Sequence, residues 1–352
     1  SKDWIAVRNE IMRCVAEDTA KQLGGRILLV PELITHDTER RLCAAAGDTA
    51  SRFAEVLSFT RLTRSVAEYT AHAPESCMDN GGRVVAMAAA AGQIHSRLKF
   101  YAAVQTKPEF LTELVDAVDE FKRCCITPAD LMKAAGETEG AFSQKLTELS
   151  LLLEAYDAIC AHGKRDPRDQ MNWLLEQLED CDFAKEHVFY IDGFPDFTRQ
   201  NMAILEHLIR HCPNVTVGLN CDALDSDALA FEKAADTAAQ LYRFAKKEGI
   251  PVHLEVVSGR KDALAPMRDA LFQGKLPSIS QGVKAVKAES AWEEVTFAAD
   301  QIRQLTSAGC RYRDIGVVCG DPAGYQHILQ QVFHRYGIPL YLSGTEDILQ
   351  KT

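Results

Sequence analysis

His187–Gln200, HVFYIDGFPDFTRQ, is the stretch on which the fold turns. Val188, Phe189, Tyr190 and Ile191 form a short apolar run of the kind that parallel sheets bury on both faces. Asp192 follows at the carboxyl end of that run, the edge where open α/β sheets gather their ligands. Gly193 comes next, then Phe194 and Phe197, and Gln200 opens an amphipathic helix-like pattern to His211. Asp192 has two readings at this level: an acid set to organise a ligand, or one that satisfies a turn or caps the next helix.

Working outward, the α/β pattern recurs on both sides. Upstream, an amphipathic helix over Trp4–Leu23 stops at Gly24-Gly25 and leads into a strand over Ile27–Val30. A strand-to-helix transition follows at EVLSFTRLTRSVAEYT, Glu55–Thr70. Downstream come a strand at Val215–Asn220, a helix at Phe231–Glu248 and a strand at Val252–Val257. Between them, residues 80–180 are helical almost throughout, rich in alanine and leucine at helical spacing. From about Val283 a further α/β pattern starts: KAVKA, a helix over Ala291–Ala308, a buried strand at Ile315–Val318, a helix over Tyr325–Tyr336 and a strand at Ile338–Leu342. The expected organisation is therefore an α/β domain from 1–79 and 181–282, an all-helical insertion at 80–180, and the opening elements of a second α/β domain at 283–352. Both ends read as cut. A chain that opens in a helix leading to a strand implies an earlier strand and loop, which in a P-loop protein would be the G-x-x-x-x-G-K-[ST] phosphate cradle. Ser1 is either the last residue of such a loop or foreign to it.

Composition narrows the class. At 352 residues the chain has room for two or three cores, and its 47% hydrophobic and 25% charged content is that of a globular protein. No apolar run approaches a membrane span and the first residues do not read as a signal peptide, so a cytoplasmic protein is expected. The eleven cysteines, an odd count with an adjacent Cys124-Cys125 pair and no C-x-x-C, argue against a disulfide framework or a zinc site. The ten histidines show no ligand spacing. A net charge of −11 counts against tight, purely electrostatic binding of nucleic acid, though stacking and a few phosphate contacts can hold a single strand in a local groove.

Four ordered segments resemble one family. VLSFTRLTRSV is similar to the T-F-H-S-L motif of superfamily 1 helicases, with Ser58, Phe59, Thr60 and Arg61 at the motif positions. VFYIDGFPDFTRQNMAIL resembles their D-E-x-Q-D region through Asp192, Asp196 and Gln200. FEKAADTAAQLYRFAKKEGIPVHLEVV has the spacing of a segment beginning F-x-x-T in the B subunits of AddAB-type helicase-nucleases, which also write Asp-Gly-Phe and Phe-Thr at the second motif. The stretch from Glu293 to Gly344 resembles the start of a second motor-like domain. The resemblance implies a P-loop NTPase fold of superfamily 1 type and a role in double-strand-break repair by homologous recombination. It also implies an A subunit as partner, single-stranded DNA as ligand and a part in recognising the Chi sequence. Mg-ATP is implied for the full-length subunit and no cofactor for this stretch alone; the family's nuclease domain and iron-sulfur cluster lie outside this chain.

Two departures bear on catalysis. Gly193 stands where working motors carry the glutamate that orients the attacking water, a kind of assistance worth ~10²- to 10⁴-fold. Cys319-Gly320 follows Ile315–Val318, where active motors place an arginine. A degenerate motor is therefore expected, with Asp192 and Gln200 as remnants of a nucleotide and magnesium site and Ser58, Phe59, Thr60, Arg61 and Phe194 as DNA contacts. The alternative is a genuine DNA-dependent ATPase whose phosphate loop lies upstream. Each residue has a plainer reading as well: Ser58 or Thr60 as a helix cap with Arg61 and Arg64 solvated, Phe194 and Phe197 as core. Lys164, Arg165 and Arg168, interleaved with Asp166 and Asp169, read as a solvated loop or a phosphate contact.

Overall fold

In the computed structural model, residues 1–72, 76–223, 229–270 and 282–342 are described. The expected domains also include 73–75, 224–228, 271–281 and 343–352, which lie outside the described residues. The elements are α1 (Trp4–Ala20), β1 (Arg26–Leu29), α2 (Thr35–Ala46), β2 (Ala54–Leu57), α3 (Phe59–Thr70), α4 (Asn80–Gln93), α5 (Pro108–Arg123), α6 (Pro128–Gly136), α7 (Gly140–Ala161), α8 (Gln170–Glu179), α9 (Phe183–Glu186), β3 (Val188–Ile191), α10 (Arg199–His211), β4 (Val215–Val217), α11 (Glu232–Lys247), α12 (Ala265–Ala270), α13 (Ala291–Ser307) and α14 (Pro322–Tyr336). They divide into two compact units, Ser1–Ser278 and Ile279–Thr352.

The first unit is α/β. Its four strands are all parallel in the order β2-β1-β3-β4, with Ile27 opposite Glu55 and Phe189, and Phe189 opposite Val215. Because side chains alternate along a strand, β1, β2 and β3 each feed two cores. Ile27, Leu29, Leu57, Phe189 and Ile191 point to one face, where α3, α8 and α10 cover them with Leu62, Val66, Leu174, Leu178, Ile204 and Leu208. Leu28, Val30, Val56 and Tyr190 point to the other, beneath Ile11, Met12 and Val15 of α1 and Leu42 of α2. Covered faces on both sides explain why VFYI is a continuous apolar run rather than an alternating one.

Helices α4 to α7 build a core of their own around Met87, Leu111, Leu114, Val118, Leu152, Leu153 and Tyr156. Within it, buried Glu148 of α7 accepts hydrogen bonds from three successive backbone N–H groups, Lys99 at 2.8 Å, Phe100 at 2.7 Å and Tyr101 at 3.0 Å. Burial alone raises its pKa, but those donors outweigh it and hold the carboxylate below its usual range. Helix α8, although it falls within 80–180, packs on α3 and α10 over the sheet.

The loop into α8 corrects the reading of HGKRDPRD as solvated or phosphate-binding. Lys164 is exposed, but Asp166 is fully buried and accepts from Arg83 Nε (3.1 Å), Tyr156 Oη (2.6 Å) and its neighbour Arg168 N (2.7 Å). Arg83 and Arg168 share Asp119, the latter through Nε at 2.8 Å. Lys122 donates to Asp169 at 2.8 and 2.9 Å and lies 3.0 Å from Asp157. Burial lowers the Lys122 pKa, yet Asp169 and Asp157 outweigh it and keep the net shift upward. Charges interleaved in sequence are here a knot between the helical core and the return to the sheet, satisfied internally rather than by solvent.

In the second unit, Val295, Ala299 and Ile302 form a stripe on α13 and pack against Leu329, Val332 and Phe333 of α14 and against Ile338. The stretches expected as strands at 252–257, 284–288, 315–318 and 338–342 form no paired ladder among the described residues. Ile315 has extended backbone and packs with Leu340 on the helix pair, whereas Val317 is half exposed and Val318 is 96% exposed. In the first unit, Val252, Leu254 and Val256 are exposed as well. An apolar run supplies side chains for a strand; the ladder also requires a neighbour for its N–H and C=O groups.

His207 of α10 is buried and lies against His211, the rings tilted by 39° with centroids 4.2 Å apart. Burial, then His211 and Arg210, push its pKa down to about 4. Between about pH 6.5 and 4 the unfolded chain takes up a proton that the folded chain refuses, so stability falls as pH drops through that window. Urea midpoints measured across it should fall less steeply for His207→Gln than for the wild type, and parallel slopes would contradict this.

Candidate functional site at the carboxyl edge of the sheet

The carboxyl ends of the four strands deliver Pro31-Glu32, Ser58-Phe59, Asp192-Gly193 and Gly218 to one edge. Asp192 is continuous with the sheet, its N–H donating to Leu29 O at 3.1 Å. Its carboxylate is buried and accepts from Arg8 Nε of α1 at 3.0 Å. Both side chains are under 10% exposed, at 9% for Arg8 and 8% for Asp192. The Arg8 guanidinium also lies 4.8 Å from the ring centroid of Trp4. The acid at the head of the β3 loop is thus compensated by a cation within the fold.

The two glycines beside this pair are there for steric reasons. Gly193 has φ +80°, a left-handed conformation, and a Cβ there would stand 2.9 Å from Ile34 Cδ1 and 3.3 Å from an Arg8 terminal nitrogen. A Cβ at Gly218 would stand 2.9 Å from Val7 Cγ1 and 3.4 Å from Asp192 Oδ1. Together they let α1 and the β1 loop close over the strand ends. A glutamate at 193 is incompatible with this packing unless Ile34 and Arg8 move.

Gln200 lies elsewhere. It is buried in the first turn of α10, and its Nε2 donates to Arg168 O at 3.0 Å and Asn172 Oδ1 at 3.1 Å. Those bonds tie α10 to α8 and to the ionic knot, and no hydrogen bond joins Gln200 to Asp192 among the described residues.

A second group forms where β2 enters α3. Ser58 is the N-cap, its Oγ accepting from Arg61 N at 3.2 Å while its hydroxyl donates to Glu32. Arg61 donates to Glu39 at 2.7 Å and lies 3.9 Å from Glu32. Its guanidinium is therefore oriented by Glu39, with Glu32 nearby, while Arg64 and Thr60 are exposed. Phe59 is buried and meets half-buried Phe194 edge-on at 5.5 Å, and Phe194 meets Phe197 at 5.0 Å. All three rings join the core beneath α3. The structure brings Ser58, Phe59, Arg61 and Phe194 to one sheet edge and leaves Gln200 outside it.

Two participants were not singled out from sequence. Arg8 could have been found as an arginine on the stripe formed by Ile11, Met12 and Val15, since a charge on a core face needs a buried partner. Glu32 could have been found as an acid just past the ILLV strand. Among the described residues, no group of three or more His, Cys, Asp or Glu side chains could hold a metal ion, and no helix is long and apolar enough to cross a membrane.

Residues 6–267 match the family model described as ADDB, N-terminal. A protein of Acetivibrio thermocellus, named as the B subunit of an ATP-dependent helicase/deoxyribonuclease, is 27% identical over 348 residues, covering 94% of this chain and 30% of the relative. Proteins of the same name from Geobacillus kaustophilus and Thermoanaerobacter pseudethanolicus are each 28% identical, over 96% and 92% of this chain and 31% and 29% of their own length. The chain thus spans about 30% of the length of the curated relatives it matches.

Breaking a buried ion pair from one side leaves an uncompensated charge and costs about 3–5 kcal/mol. Arg8→Met and Asp192→Asn should each lower unfolding stability by about that amount, and the double variant by clearly less than their sum. Additive losses in urea titrations would show that the pair is not coupled. Gly193→Ala should cost about 1–3 kcal/mol through its left-handed backbone and the contact with Ile34; an unchanged midpoint would remove the steric account of this glycine.

Proposed function

Because this chain belongs to the ADDB, N-terminal family, we propose that it is the amino-terminal, helicase-like region of the B subunit of an ATP-dependent helicase-nuclease. In this reading the sheet domain is a superfamily 1, P-loop NTPase-type motor fold retained for binding rather than hydrolysis. It contacts single-stranded DNA, docks an A subunit and contributes to recognition of Chi during recombinational repair in the cytoplasm. The parts of the chain are assigned accordingly: 1–79 with 181–282 as the first motor-like domain, 80–180 as its helical insertion and 283–352 as the opening of the second.

The observation that carries the proposal is the Arg8–Asp192 pair beside Gly193. An acid meant for magnesium presents its charge to the ligand, whereas Asp192 is compensated by an arginine of its own chain. The position that would orient water is a glycine held by its packing. Gln200 is engaged with Arg168 and Asn172. In this reading Asp192 and Gln200 serve the packing of the fold rather than a magnesium–nucleotide site.

Support for strand contact comes from the edge at α3. Glu32, Glu39 and Arg61 together carry a net negative charge, so attraction to phosphate is not the main term there. A partly exposed guanidinium hydrogen-bonded to Glu39, next to exposed Thr60 and half-buried Phe194, suits hydrogen bonding to base edges and stacking on a ring. Such a surface favours discrimination among sequences over bulk affinity, in keeping with a net charge of −11.

Fluorescence anisotropy with labelled single-stranded DNA at two salt concentrations tests this. Saturable binding with a shallow salt dependence and a several-fold loss in Arg61→Ala is expected. No binding at tens of micromolar protein, or binding indifferent to Arg61, would count against a strand path at this edge.

A further inference from the structure

Cys124 and Cys125 are the only adjoining pair among the eleven cysteines of the sequence, and both are exposed. They lie in the short connection from α5 to α6, where the flanking helix ends are fixed by their caps. Cys124 is the C-cap of α5, and Cys125 follows in a left-handed conformation at φ +53°. The Cys125 N–H donates to Lys122 O at 3.0 Å and the Ile126 N–H to Phe121 O at 2.8 Å, the paired bonds of a Schellman turn. Glycine is the usual occupant of such a position, because a β-carbon strains it. Ile126 then packs against the helical core, and Thr127 opens α6 with a capping box to Asp130. The two thiols are thus carried at the surface of a turn that is anchored on either side.

Adjacency gives the pair a chemistry that a single surface thiol lacks. Neighbouring α-carbons across a trans peptide are about 3.8 Å apart, closer than the roughly 4.4–6.8 Å that an unstrained disulfide spans. A bond between the two sulfurs closes a small, strained ring that is easily reduced, which is the character of labile regulatory disulfides rather than structural ones. Closing it also draws the two β-carbons together, so the backbone at 124–125 must leave the left-handed turn and give up the Schellman bonds. Burial pushes the Cys125 thiol up, with the Arg199 guanidinium of α10 opposing it, so Cys125 is assigned the second step rather than the first.

We propose that Cys124 and Cys125 form a peroxide-sensitive vicinal dithiol, converted reversibly to a disulfide that opens the last turn of α5. The Cys124 thiolate attacks one oxygen of hydrogen peroxide; an S–O bond forms, the O–O bond breaks and hydroxide leaves. The Cys125 thiolate then attacks that sulfur; the S–S bond forms, the S–O bond breaks and the second oxygen leaves as hydroxide. The two thiol protons turn both hydroxides into water. The two sulfurs together give up two electrons, which a dithiol reductant returns by exchange. Lys122, which holds Asp169 at 2.8 and 2.9 Å, lies in the turn that opens.

The sequence supplies a local readout. Trypsin cuts after Arg123 and Lys133, so both cysteines fall in one peptide, Cys124–Lys133, that contains none of the others. The full chain is treated with graded hydrogen peroxide, alkylated with iodoacetamide and mapped by mass spectrometry. The peptide should lose both alkylation sites together and be lighter by two hydrogen atoms than the dithiol form. This should occur at a dose that leaves most of Cys43 and Cys310, which are exposed single thiols, still alkylated. Dithiothreitol should restore both sites. Cys125→Ser should accumulate a dimedone-reactive sulfenic acid at Cys124, and circular dichroism confirms that this surface variant folds. In the oxidised wild type the Ile126 amide should exchange about tenfold faster or more, as its bond to Phe121 is lost. Both sites remaining alkylated while Cys43 is oxidised would overturn the proposal, as would their loss only through cross-links to other peptides. A disulfide that forms without faster exchange at Ile126 would overturn the opening of the turn.

Discussion

The first unit is organised around one buried interaction, the ion pair between Arg8 and Asp192. Desolvating a guanidinium and a carboxylate is costly, and the pair persists only because each is the other's partner in a well-fitted site. That requirement fixes the register of α1 over the sheet, because Arg8 must reach the end of β3 while Ile11, Met12 and Val15 cover Leu28 and Tyr190. It also explains the neighbouring glycines. Side chains at 193 or 218 would meet Ile34 and Arg8, or Val7 and Asp192, and those side chains would have to shift. Asp192, at the carboxyl end of β3, is part of the packing between α1 and the sheet.

A second ionic assembly does for the helical region what the first does for the sheet. Asp166 and Asp119 gather Arg83, Arg168 and Tyr156, and Lys122 joins Asp169 to Asp157. Its members come from α4, α5, α7 and the loop into α8, so the place where the helical core hands the chain back to the sheet is held at several points. Gln200 extends the connection, bonding the Arg168 carbonyl from α10. Helix α10, which follows β3, is thus hydrogen-bonded to the loop that leads from the helical core into α8.

Much of the first unit was legible in the sequence because its signals were local. The run Val188–Ile191, the strand Ile27–Val30 and the Ser58 cap before an amphipathic helix each state their structure within a few residues. The partners of charged groups were not legible, since Arg8 and Asp192 lie 184 positions apart and Arg83 and Asp166 lie 83 apart. For the same reason HGKRDPRD looked solvated: its own composition is polar, and only the fold shows that Arg83, Asp119 and Lys122 wait to receive it. The apolar runs at 252–257, 315–318 and 338–342 show the converse limit, because strand pairing is a property of two segments and periodicity reports on one. Of the candidate site, sequence named Ser58, Phe59, Thr60, Arg61 and Phe194 as strand contacts and Asp192 with Gln200 as a nucleotide remnant; the fold gathers all but Gln200 at one sheet edge, and Arg8 and Glu32, their ionic partners there, were not named.

If the Arg8–Asp192 pair is structural, hydrolysis and stability must respond differently to its loss. The direct measurement is Mg²⁺-dependent ATP turnover by the wild-type chain and Asp192→Asn, with and without single-stranded DNA, with thermal midpoints recorded on the same samples. The account predicts no turnover in either protein and a clearly lower midpoint for Asp192→Asn. DNA-stimulated turnover by the wild type that disappears in Asp192→Asn while the midpoint holds would contradict it.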